Sequence, residues 1–188
     1  MRPNRFVASN AFAILLLLGL DVSSAQTTAP TVNKVSSEPE VQTSSFGDWT
    51  LKCQRKGESS LAQRDCELLQ SIGVKGKTEP VVQIAFGKVA ASDPLRVTVV
   101  TVPDISLPSS VRIGLDEKDA QPVELAWTRC LQIGCFATTA PSQDTLRKWR
   151  LKSDVARLSF VSASGQTVVV PVSFRGLSQA LDALAREK

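Results

Sequence analysis

Two cysteines five positions apart, Cys130 and Cys135, stand between two stretches of alternating side chains and constrain this chain more than any other feature. Val123, Leu125 and Trp127 alternate with Glu124, Ala126 and Thr128, the period-two pattern of a strand with one buried face. Leu131-Gln-Ile-Gly134 can reverse the chain, because Gly134 accepts a positive φ without steric cost. Phe136 and Thr138 then resume the pattern on a return strand. Cys130 and Cys135 face each other across this turn at a separation a disulfide can span. A zinc site that also used Cys53 and Cys66 fits poorly, because structural sites pair their ligands at spacings of two to four residues. The chain also contains no His.

The start of the chain says where those thiols can oxidise. Arg2 and Arg5 precede an uncharged apolar run, Ala11 to Leu20, and Ser23-Ser-Ala25 offers the small residues a signal peptidase reads. Ten apolar residues are too few for a permanent membrane span, so residues 1–25 are expected to be a cleaved signal peptide. The four cysteines then sit in an oxidising compartment, where three connectivities are open to them. The local pairs Cys53–Cys66 and Cys130–Cys135 are the expected ones, because each lies near a hairpin. The chain-entropy model assigns them about 3 and roughly 2 kcal/mol. Without residues 1–25 the chain carries 20 cationic and 17 anionic side chains, a net charge of +3. That is too mild to imply nucleic acid, whose binders normally show a denser basic stripe. No later apolar run is long enough to hold the chain in a membrane.

Residues 26–45 have no aromatic and no sustained period, and are expected to be a disordered or extended tether. Periodicity begins at Phe46, so 46–188 is expected to form one domain. Strand patterns recur at Trp49/Leu51/Cys53, Cys66–Ile72, Val82/Ile84/Phe86, Leu95/Val97/Val99 and Val111/Ile113/Leu115. A further pair, Ala156/Leu158/Phe160 and Val168/Val170/Val172, flanks the turn signal Ser162-Ala-Ser-Gly165. Pro171 cannot donate to a ladder, so its strand must stop there or run along an edge. Two short helices complete the reading. One follows the capping residue Ser142 to Trp149, and the other runs from Leu177 to Arg186 after Gly176. The fold class expected is mainly β, an antiparallel β-sandwich or barrel-like single domain with a short middle helix and a C-terminal helix.

No catalytic set emerges. Without His, Ser–His and Cys–His nucleophiles are excluded. Asp116, Glu117 and Asp119 are the one close acidic group, and they read as a solvated turn rather than a carboxylate pair for acid–base work. The five-residue separation of Cys130 and Cys135 lacks the Cys-x-x-Cys spacing of redox-active thiols. No metal and no cofactor is implied. The most basic segment, Arg147, Lys148, Trp149, Arg150 and Lys152, with Arg157 beyond it, is the candidate interaction surface. It could meet an anionic surface component or an acidic partner. The competing reading is a capped helix that turns Leu146 and Trp149 inward.

Several landmarks carry a resemblance: Phe46-Gly-Asp-Trp49-x-x-x-Cys53, Cys66-Glu-Leu-Leu-Gln70, Leu107-Pro-Ser-Ser-Val111, Cys130-Leu-Gln-Ile-Gly-Cys135-x-Ala137 and Val170-Pro-Val-Ser-Phe-Arg-Gly176-Leu-x-x-Ala180-Leu. In this order they resemble the invasion-associated locus B family of exported Gram-negative bacterial proteins, across 46–184. The match is loose between the Cys66 strand and Leu107. The family's closing motif tends to read Ser-Leu-x-Gly-Phe, where this chain has Ser173-Phe-Arg-Gly176-Leu177, and local repacking is expected. The resemblance implies a periplasmic, surface-associated or secreted protein, some relatives being linked to host-cell invasion, with no catalytic residues to carry over. The function expected is therefore a non-enzymatic envelope binding protein whose partner is an envelope or host protein or an anionic surface component. The alternative is an unusual envelope enzyme using carboxylates or a Ser–Lys pair.

Overall fold

The computed structural model describes residues 40–56, 63–73, 76, 79–116 and 119–187. The expected signal peptide, residues 26–39 of the expected tether, the loop at 57–62 and Glu117 lie outside the described residues. The fold is mostly β. Ten antiparallel strands form one sheet: β1 (Val41–Phe46), β2 (Trp49–Lys56), β3 (Gln63–Ile72), β4 (Val82–Gly87), β5 (Arg96–Thr101), β6 (Ser110–Gly114), β7 (Val123–Leu131), β8 (Gly134–Thr139), β9 (Val155–Val161) and β10 (Thr167–Ser173). Helix α1 (Gln143–Leu151) joins β8 to β9, and α2 (Leu177–Arg186) follows β10.

Strand order is β1-β2-β3-β4-β5-β8-β7-β6-β9-β10. The first five strands run as a meander. The connection after β5 then skips to β6, and β7 and β8 return to pair with β5. Each inner face is apolar by the period-two rule: Val82, Ile84 and Phe86 on β4, Val97 and Val99 on β5, and Leu158 and Phe160 on β9 are all buried. β1 corrects the expected tether. Residues 41–45 form a strand although every side chain among them is exposed, because backbone pairing with β2, from Val41↔Gln54 to Phe46↔Trp49, orders it without a hydrophobic face. Pro171 does lie on a strand that pairs on one side only, with β9.

A single sheet, rather than two stacked ones, makes the core by curling. β2 and β10 stand eight places apart in the order, about 38 Å in a flat sheet at roughly 4.8 Å per strand. Yet the Trp49 indole Nε1 donates to the carbonyl of Ser173 at 3.0 Å. Two glycines permit this contact. Gly47 (φ 59°) and Gly176 (φ 86°) sit in the left-handed region, and a Cβ on Gly176 would lie 2.1 Å from the Phe46 carbonyl oxygen. Around them, the Asp48 N–H donates to the Arg175 carbonyl at 3.2 Å. The Gln70 amide is buried; its nitrogen donates to Ser173 O at 2.9 Å and its oxygen accepts from Ser173 N at 3.1 Å. Asp48 then takes the Ser173 hydroxyl at 2.6 Å and the Arg175 guanidinium at 3.1 Å.

Helix α1 is capped as its sequence predicts, with Ser142 Oγ accepting from Thr145 N at 3.1 Å. Behind the closure, an aromatic chain runs Trp49–Phe86–Trp149–Phe174, with centroids 5.5, 5.9 and 5.7 Å apart. Phe174 and Leu177, where local repacking is expected, are both buried.

Two predictions test the closure. Gly176→Ala should lower unfolding free energy by at least about 3 kcal/mol, since strain and a backbone clash add. Gly165→Ala has a similar φ of 81° but open space around it, and should cost only about 1 kcal/mol in the same urea titration. Hydrogen bonds from Arg175 and Ser173 hold the Asp48 carboxyl below its ordinary value of 3.8. Asp48 therefore stabilises the fold fully above that ordinary value, and the contribution is lost as pH falls through the depressed one. Asp48→Asn should flatten the acid limb of a stability–pH profile; an unchanged limb would count against the linkage.

Candidate interaction surfaces

The four cysteines meet in two cross-strand pairs. Cys53 faces Cys66 on β2 and β3, and Cys130 faces Cys135 on β7 and β8. Their sulfurs lie 2.08 and 2.02 Å apart, at bonding distance. A carboxylate oxygen of Glu187 lies within 4.8 Å of the first pair of sulfurs. Bonded sulfurs carry no thiolate charge, so this group is no ligand set while the bridge is closed.

The second pair depends on a bulge. Strict alternation along β7 would put Arg129 on the same face as Leu125 and Trp127, and Cys130 on the opposite one. The register instead shifts between Trp127 and Arg129, leaving Thr128 unpaired, so Arg129 opposes Phe136 and Cys130 opposes Cys135. Arg129 thereby reaches the outer face, its guanidinium 5.1 Å from the Phe136 ring centroid. Beyond the bridge the hairpin turns in two residues, Gln132 and Ile133. Its tip displays Leu131 at 49% and Ile133 at 77% exposure. Gly134 is needed there, because a Cβ would lie 2.4 Å from the Thr101 carbonyl oxygen.

The basic segment proposed from sequence is not a free cationic surface. Trp149 is 2% exposed and packs against Phe86 and Phe174, which corrects its assignment as a surface residue. The 3.6-residue period puts it beside buried Leu146 on the inner face of α1. Arg147 pairs with Asp144 at 3.0 Å and Lys152 with Asp154 at 3.8 Å. Arg150 pairs with Asp182 and donates to the Ser178 carbonyl at 3.3 Å, tying α1 to α2. Lys148 points outward from the same helix. Beside this helix pair, a cavity of about 750 Å³ is walled by Leu95, Leu146, Leu181 and Leu184. The Arg64–Glu187 contact at 3.5 Å lies on its rim.

Asp119 serves the β6–β7 turn. Its carboxylate accepts the backbone N–H of Leu115 at 2.8 Å and of Gln121 at 3.0 Å, and these bonds, Leu115 first, lower its pKa. Sequence reasoning missed the outer face of the central strands altogether. There a trough of about 580 Å³ crosses β2 to β5, β8 and β7, with Leu69, Ala85, Val100 and Phe136 on its floor. Among the described residues, no helix is long and apolar enough to cross a membrane.

Residues 49–185 match the family model of the invasion associated locus B (IalB) protein. Among solved structures, the crystal structure of invasion associated protein B from Bartonella henselae superposes with a TM-score of 0.63 at 20% identity, covering 77% of this chain and 95% of that one. No curated protein matches the chain by sequence.

The two faces of α1 separate in a stability measurement. Trp149→Ala should cost about 3–5 kcal/mol by removing the centre of the aromatic chain. Arg147→Gln with Lys148→Gln should stay within about 0.5 kcal/mol of the parent, as exposed positions do.

Proposed function

We propose, because the chain belongs to the invasion associated locus B family, that it is an exported, non-enzymatic binding protein of the cell envelope that contributes to attachment to host cells. On this reading residues 1–25 are a signal peptide removed on export, and the mature protein is periplasmic, outer-surface associated or secreted. Two cross-strand disulfides support that compartment, since such bonds persist outside the reducing cytosol.

The observation that carries the binding role is the β7–β8 hairpin. A disulfide one pair below the turn holds the tip in a single shape, so little ordering entropy remains to be lost on docking. That rigid tip places two aliphatic side chains in water, where a monomeric protein gains nothing from them. The bridge and the bulge serve as its frame.

The test is attachment of the oxidised protein to cultured host cells. Leu131→Asp with Ile133→Asp should abolish most attachment and leave the melting temperature within about 2 °C, because both positions are exposed. Alkylation of the exported protein before reduction should find no reactive thiols. Undiminished attachment by the double variant, or free thiols in the exported form, would remove this reading.

A further inference from the structure

The trough on the outer face is positively biased in a way the linear sequence does not show. Lys52 comes from β2, Lys88 from the connection after β4, Arg96 from β5 and Arg129 from β7, and all four border the same depression. Two carboxylates, Asp65 and Glu67, border it with them. Lys52 stands directly opposite Glu67 in the β2–β3 register, without closing to ion-pair distance, whereas among the described residues no carboxylate pairs with Arg96 or Arg129. Lys88 donates only to the backbone carbonyl of Ala91, at 3.3 Å. This differs from α1, where Arg147, Arg150 and Lys152 are each matched to an acid.

Arg129 is also held in place. Its stacking on Phe136 restricts the side chain and leaves its N–H fork uncommitted to an acid, a pre-organised arrangement for a carboxylate or sulfate. The bulge that turns Arg129 outward also brings Cys130 to the face of Trp127, opposite Cys135. Between the cations, Gln54, Gln83 and Thr98 supply amide and hydroxyl groups. The half-buried Leu69, Ala85 and Val100 supply an apolar floor.

From this charge complementarity we infer that the outer-face trough binds an acidic polysaccharide, a chain of sugars bearing carboxylate or sulfate groups. A polysaccharide matches the mixture: its anions meet Arg96 and Arg129, its hydroxyls meet the amides, and the C–H faces of its rings lie on the apolar floor. A depression crossing six strands suits a linear polymer, whereas a membrane surface cannot enter it. The inference rests on reading the chain as an exported binding protein, and it supplies a ligand class for a face other than the hairpin tip.

The experiment is calorimetric titration of the purified oxidised protein with a defined uronate- and sulfate-bearing oligosaccharide. Neutral dextran and vesicles containing phosphatidylglycerol are the comparison probes. The oligosaccharide should bind, more weakly as salt rises, and neutral dextran should not. Arg96→Gln with Arg129→Gln should weaken binding by about tenfold. Arg147→Gln with Lys148→Gln removes the same charge from α1 and should leave it unchanged. No binding by the parent, equal weakening by both pairs, or tighter binding to the vesicles would overturn the inference. Because this assay contains no cells, its failure leaves hairpin-mediated attachment to be judged separately. Retained attachment by the Arg96/Arg129 variant alongside lost glycan binding would assign the two surfaces distinct ligands.

Discussion

The fold depends on one backbone-to-backbone contact, the approach of Gly47-Asp48 to Arg175-Gly176. A ten-stranded antiparallel sheet has two ends, and a flat one could not enclose the side chains of its inner face. Bringing the β1–β2 turn against the chain after β10 converts that sheet into a curled body with a continuous interior. The contact tolerates no Cβ at either glycine, which would lie 2.5 Å or less from a carbonyl oxygen. It also leaves polar backbone groups in a partly buried seam, where an unmade hydrogen bond is expensive. Gln70 and the Trp49 indole meet that need from the core side, and Asp48 from the solvent side.

The same contact explains why the aromatic residues occupy the places they do. Trp49 enters the core directly after the first glycine turn, and Phe174 directly before the second. Trp149 of α1 fills the space between Phe174 and Phe86, so the helix is held by its buried face rather than by its charges. Arg150 then fixes α1 to α2 through Asp182 and a backbone carbonyl. Phe174 and Leu177, on either side of the second glycine turn, both lie inside.

Much of this was legible in the sequence, where the signal was local. Alternation placed the inner-face residues of β4, β5, β6 and β9, and Ser142 marked the start of α1. Pro171 marked a strand without a second neighbour. Nonlocal features were not legible. β1 has no periodicity, because both of its faces meet solvent and only its backbone is used. The bulge at Thr128 could not be read from alternation, because it breaks alternation. Strict alternation would have put the Cys130–Cys135 pair on the face opposite Trp127, with Phe136 and Thr138 inward; the bulge instead turns Cys135 and Ala137 inward and Phe136 outward. The closure of the sheet was hidden as well. Its glycines are 129 positions apart, and each alone reads as an ordinary turn.

The contrast between α1 and the outer face shows why a contiguous run of cations is a poor guide to an electrostatic surface in a curled sheet. Residues close in sequence on a helix also place acids three or four positions away, and those acids neutralise the run, as Asp144 does for Arg147. Antiparallel strands do the opposite. Each contributes outward residues at alternate positions, so Lys52 and Arg96 stand at one level of the sheet, through Glu67 and Gly87. Arg129 borders the same trough from the level of Phe136 and Val100. Because the inner face is committed to closing the body, substitutions at these outer positions leave the core and the seam untouched. The outer face is therefore where this architecture can change its binding chemistry at the least cost to its stability.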